Sequence, residues 1–178
     1  AITRRATHPR QLEDFDAAVK ADPKNVQALQ GRAIIYSEKG ENDKAVADLS
    51  QLLAADGDNQ MALEAISQVL SKLKKYDDAL QHIEKLIALS PKEPKGYLLR
   101  ASLFAMKEDE QKALADLDKA LELDPRNLLG LLMRSQVHAA MKNFDQAKKD
   151  SDLLLRLVPD LPDVVLLRSR LEKKKKKF

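Results

Sequence analysis

Cysteine and tryptophan are absent from this chain of 178 residues, and glycine (5), proline (7), tyrosine (3) and phenylalanine (4) are scarce. Without cysteine there is no disulfide, no thiolate zinc site and no cysteine nucleophile. So few aromatics leave little surface for stacking on nucleic-acid bases. So few glycines give no phosphate-cradling loop. His8, His82 and His138 are the only histidines, and no spacing resembles a metal-binding His pair on one helix. No metal, cofactor or catalytic residue is therefore expected, and the reading is non-catalytic. No apolar run approaches the roughly 18 residues of a membrane span. The net charge of +3 rests on the five consecutive lysines Lys173–Lys177, and without them the balance is slightly acidic. Such a distribution gives no basic face for nucleic acid.

What remains is rich in Ala, Leu, Lys, Glu and Asp, with 44% hydrophobic and 33% charged residues. That is the composition of packed helices, in a chain long enough for a sizeable core. A ruler runs through it. Pro23, Gly57, Pro91, Pro125 and Pro159 stand 34 residues apart, each closing an apolar-spaced helical stretch. A helix-stopping residue at fixed spacing means that one supersecondary unit is copied. Counting from Val26 gives four full copies, 26–59, 60–93, 94–127 and 128–161. A partial repeat, 1–25, precedes them, and 162–178 follows as a partial repeat or capping helix. Pro9 to Asp22 reads as a second helix, with Ala1-Ile2 ending a missing first one. Pro162 to Glu172 reads as a further first helix, so both ends are expected to be cuts within a longer array. Each copy holds two helical stretches joined by a polar turn, such as Lys39-Gly40-Glu41-Asn42. Asp43, Asp77 and Asp145 follow these turns, where a helix start favours a capping acceptor or a negative charge.

The columns of this frame carry the packing. The eighth is always small (Ala33, Ser67, Ala101, Ser135), and the twentieth is always alanine (Ala45, Ala79, Ala113, Ala147). Small residues let helices approach, and large ones such as Leu29, Leu63, Leu52 and Leu86 fill the remaining gaps. The seventh column carries Arg32, Arg100 and Arg134, and the twenty-third Asp48, Asp116 and Asp150. In the second copy both change together, to Ile66 and His82. That covariation within one chain predicts the ion pairs Arg32–Asp48, Arg100–Asp116 and Arg134–Asp150 inside a repeat. Pairing between neighbouring repeats is the competing geometry, since Asp14 also fits the acidic column.

With these columns, and with stretches such as Lys119-Ala120-Leu121-Glu122-Leu123-Asp124-Pro125-Arg126-Asn127, nearly the whole chain resembles the tetratricopeptide repeat family. The first copy departs from the pattern at Gly57, the fourth at His138 and Ser151. The resemblance implies an all-α, right-handed α-solenoid of helix–turn–helix hairpins. It also implies a protein–protein interaction scaffold or adaptor whose first helices line a concave groove. A peptide or helix segment of a protein is the expected partner. Helical spacing then points to an apolar strip on that side, Leu98, Leu99, Met106, Leu129, Leu132, Met133, Leu166 and Leu167, with Ser102 and Gln136 beside it in the groove. The early copies offer Gln27, Gln30, Gly31, Glu64, Ala65 and Gln68 instead. An apolar strip left open marks a partner site, whereas one packed between neighbouring first helices is only core.

Some members of the family hold acidic chaperone tails with a fixed Lys, Asn and Arg set. The matching positions here are Gln30, Ile34, Ala65, Lys95 and Leu99, of which only Lys95 fits, so such tails are not expected partners. Three alternatives stand beside the scaffold reading. One is an accessory or oligomerisation domain of a larger, even enzymatic, protein. Another is self-association as a homo-oligomer that buries the strip. The weakest is an anionic ligand held by Lys173–Lys177.

Overall fold

The computed structural model describes residues 2–159, with side chains from Arg10 onward. Among the described residues there are nine helices and no strand. A single helix, α1 (Ile2–Ala21), comes first. Four hairpins follow: α2 (Val26–Glu38) with α3 (Asn42–Ala55), and α4 (Gln60–Lys72) with α5 (Tyr76–Leu89). Then come α6 (Pro94–Met106) with α7 (Glu110–Leu123), and α8 (Leu128–Ala140) with α9 (Phe144–Leu157). The all-α class expected from the sequence is the one observed. The chain divides into two compact units, Ala1–Leu89 and Ser90–Phe178. In the first, α1 packs on α2 and α3 on α4; in the second, α7 packs on α8.

The helix boundaries have local causes. Asn25, Asn59 and Asn127 stand at the same repeat position, just before α2, α4 and α8. Each side-chain oxygen accepts from the backbone N–H three residues on, at 2.9–3.0 Å. These asparagines satisfy donors that a helix start otherwise leaves open. The third copy has Glu93 there and sets Pro94 at the first helical position, where no N–H is needed. Asp43, Asp77 and Asp145 lie inside the first turns of α3, α5 and α9, so they act through charge on the helix dipole rather than as caps.

Within each hairpin the first helix ends in a left-handed residue. Gly40 takes φ 78°, but Lys74, Glu108 and Lys142 hold φ 59–63° without being glycine. The next N–H then reaches back five residues, as from Glu41 to Tyr36 O at 2.8 Å and from Asp109 to Phe104 O at 2.9 Å. This geometry caps the last carbonyls and turns the chain. Between hairpins, Asp124-Pro125-Arg126-Asn127 forms a tight turn, with Asn127 N donating to Asp124 O at 3.1 Å. Proline presets the φ of the turn's second position, so the ruler marks turns just beyond helix ends.

One expected boundary is absent. The sequence suggested a break before Pro9, but α1 runs through it from Ile2 to Ala21. Proline removes one N–H and crowds one earlier carbonyl, so it weakens a helix without having to end it.

The small columns are where the helices touch. Ala45 and Ala79 in the first unit, and Ala113 and Ala147 in the second, are completely buried. Ser151 replaces a usual large residue, and its hydroxyl donates to Ala147 O at 2.9 Å beside Ser135, 2.8 Å away. A satisfied hydroxyl pair therefore fills a place that is apolar elsewhere. Gly31 makes the dock for α1: a Cβ there would collide with the Phe15 ring. Gly31→Ala is expected to lower stability by about 1–3 kcal/mol through overpacking. Adding Phe15→Leu should restore part of that loss, with urea denaturation of both variants as the measurement.

Candidate functional site

The charged network is the most regular side-chain geometry in the structure. Arg32 Nε and Nη2 donate to the two carboxylate oxygens of Asp48 at 2.8 and 2.7 Å. Arg100 and Asp116 meet at 2.8 and 2.8 Å, and Arg134 and Asp150 at 2.9 and 2.7 Å. Asp48, Asp116 and Asp150 are buried. Both oxygens of each acid face a planar fork, the strongest arrangement open to an Arg–carboxylate pair. The remaining nitrogen of two forks reaches a third helix. Arg32 Nη1 donates to Asp16 of α1 at 2.9 Å, and Arg134 Nη1 to Asp118 of α7 at 2.8 Å. The in-repeat and neighbour-repeat geometries therefore coexist on one arginine, and the neighbour's acid is Asp16 rather than Asp14. A signal for this was present: an acid stands 16 residues before each arginine (Asp16, Glu84, Asp118), whereas Ser50 precedes Ile66. Asp48 first, then Asp16, raises the pKa of Arg32, and Asp150 and Asp118 do the same for Arg134. Arg32 and Arg134 thus turn Nε, Nη1 and Nη2 alike toward acids of the chain, which makes the network a staple between helices.

The strip expected on the second unit is divided by burial. Leu98 is buried in the core with Ala101, Leu117 and Val137, which corrects its assignment to an open groove. Met133 is partly buried and packs on that same cluster, and Leu132 packs on the cluster of Leu121, Leu131 and Leu154. Leu99 and Ser102 are half-buried and Gln136 is exposed. Met106 and Leu129 are exposed at 53% and 55%, but they stand at the C-terminal end of α6 and the N-terminal end of α8. Leu166, Leu167 and Lys173–Lys177 lie outside the described residues.

A concave site lies in the first unit instead. A cleft of about 210 Å³ opens between α2 and α4. Its floor and walls are Ala33, Leu49, Ala65 and Val69, with Ile34 at the rim. Gln30 and Gln68 also line it, as do Ser37, Glu38 and Lys72 at one end. Lys72 Nζ donates to Ser37 Oγ across that end at 3.1 Å. Ile34 is 49% exposed and sets apolar surface at the mouth.

The cause of the cleft is visible two repeats later. Gln30, Ala33, Leu49, Ala65 and Val69 correspond in the frame to Leu98, Ala101, Leu117, Met133 and Val137. In the second unit those five residues pack together. The floor is the same in both units, but Met133 stands where Ala65 leaves room, and Leu98 stands where Gln30 lies. The two residues expected to line a groove are therefore the ones that fill it.

Among the described residues no group of His, Asp and Glu could hold a metal ion. Burial lowers the pKa of both His82 and His138. Nearby Asp78 opposes the shift at His82, and Asp150 opposes it at His138. No helix of the described residues is long and apolar enough to cross a membrane.

A family model described as tetratricopeptide repeat matches residues 12–60, 31–94 and 65–128, more than half of the chain. No curated protein matches by sequence. Among solved structures, a tetratricopeptide repeat protein from Parabacteroides merdae is 19% identical, with a TM-score of 0.85 over 98% of this chain and 70% of its own. MamA from Desulfovibrio magneticus is 20% identical, with a TM-score of 0.78 over 90% of each chain. YrrB, described as a TPR protein with an unusual peptide-binding site, is 19% identical, with a TM-score of 0.75 over 94% of this chain and 87% of its own. At these identities the likeness is one of fold.

The two arms of a fork should differ in energetic weight. Asp150→Ala leaves Arg134 half-paired in a partly buried place and is expected to cost about 2–3 kcal/mol, below the ~3–5 of a fully buried pair. Asp118, 60% exposed in its side chain, is worth less than about 1 kcal/mol when replaced by Ala. Urea unfolding of the two variants distinguishes them. His82, with a lowered pKa, contributes stability that is complete above its ordinary value of about 6.5 and is lost as pH falls through the folded value. His82→Gln should therefore flatten the loss of stability from about pH 7 to about pH 5, read from denaturation midpoints.

Proposed function

The chain belongs to the tetratricopeptide repeat family, and we propose that it is a non-catalytic module that seats a peptide segment of a partner protein on the first-helix side of the first unit. The observation that carries this reading is the cleft between α2 and α4. Its size falls below the ~300–1,000 Å³ usual for small-molecule sites and suits a side chain on a longer ligand. The amides of Gln30 and Gln68 each offer donors and an acceptor, which match the backbone of an extended segment. The description of YrrB as a TPR protein with a peptide-binding site supports the same use of this fold. A partner that spans the first-helix face of the second unit would meet Leu99, Ser102, Met106, Leu129 and Gln136 there. The repeat frame 26–59, 60–93, 94–127 and 128–161 is proposed as the unit of this architecture.

The site differs from the sequence expectation in one practical respect. Leu132 and Met133, two residues of the expected strip, pack on core clusters, so a charge at either tests stability more than binding. The clean variants instead import second-unit residues into the first: Ala65→Met and Gln30→Leu. Peptides selected from a random phage-displayed library on the intact chain are expected to lose about tenfold or more in affinity on either variant, about 1.4 kcal/mol. Thermal unfolding should show both variants folded. Peptides that bind the variants and the parent equally would remove the cleft from the reading.

A further inference from the structure

We infer that the side chain taken by the α2/α4 cleft is an unbranched aliphatic one, methionine first and leucine second, presented by an uncharged stretch of peptide. The inference rests on the reading of the cleft as a peptide site and adds what the peptide must carry.

The chain contains its own template. In the second unit the equivalent floor of Ala101, Leu117 and Val137 is covered by Met133, with Leu98 beside it. The matching residues of the first unit are Ala65 and Gln30, so the room left open there is close to that of a Met side chain. The repeat frame sets the two places in register, and the same residue types, Ala, Leu and Val, face the space in each. A peptide methionine that enters the cleft would thus rebuild, in trans, a contact that the second unit makes in cis. Methionine suits an irregular gap because its chain is unbranched and its sulfur polarisable.

The mouth adds two restrictions. Ile34 and Gln68 occupy the same repeat position on α2 and α4, so both first helices border the entrance. A chain branched at Cβ places its bulk at that entrance, and a rigid ring cannot bend around it, whereas a linear chain passes. Charge at the lining is balanced, with one carboxylate (Glu38) and one ammonium (Lys72). Lys72 already spans the end of the cleft to Ser37. An acidic or basic anchor therefore gains nothing there and has to shed its water. Binding by shape and apolar contact, with amides for the backbone, is what the lining supports.

The test sequences the phage-selected peptides that bind the intact chain and lose binding on Ala65→Met. They should share one position enriched in Met, with Leu next. In a synthetic copy of a selected peptide, norleucine at that position should keep affinity within about threefold, while Val, Phe or Asp should lose about tenfold or more. Ala65→Leu serves as a second blocking variant should Ala65→Met unfold. Peptides sensitive to the blocking variants but anchored by an aromatic, β-branched or charged residue would overturn this inference and leave the peptide site standing. Failure to select any peptide sensitive to them would overturn both.

Discussion

Helices can pack only as closely as the side chains between them allow, and in this protein a few positions carry almost no side chain. Ala45, Ala79, Ala113 and Ala147 are fully buried because the two helices of each hairpin meet there. That approach brings the seventh-position arginine within bidentate reach of its aspartate. The same contact is made in both units, so the space left where a first helix passes its neighbour is set elsewhere, by Gln30 and Ala65 and their counterparts Leu98 and Met133.

The arginine forks join hairpins alongside the apolar core that neighbouring hairpins share. Two arms hold the arginine's own hairpin, and the third reaches the preceding helix at Asp16 or Asp118. The inner arms are buried and the outer acids exposed, so the two attachments differ in strength. The second hairpin replaces the set with Ile66 and His82. Ile66 is buried, so its packing substitutes for the fork by apolar contact. An apolar replacement of a buried ion pair is often neutral or stabilising.

Much of the fold was legible in the sequence because period and column are properties of single positions. The ruler, the alanine column and the arginine and aspartate columns each require only counting. The asparagine caps are as regular, at Asn25, Asn59 and Asn127. The unbroken helix through Pro9 reflects the finite cost of a proline, which neighbouring helix formers can bear. The site was harder to read because an apolar residue on the inner side has two fates. Leu98 and Met133 have the spacing of groove residues, yet they occupy the space a groove would need. Whether a gap is open depends on the summed volume of residues from three helices, and hydropathy along one helix does not contain that sum.

The placement of the cleft-determining residues has a consequence for how such a protein changes over generations. The residues that fix the hairpin stand at the alanine and arginine–aspartate positions, while the cleft depends on Gln30 and Ala65. Hairpin packing and cleft volume are thus written in separate letters of the same repeated word. A lineage can open, close or reshape a pocket by spelling changes at two letters while the word stays pronounceable. Duplicating a hairpin supplies a spare copy in which to try them.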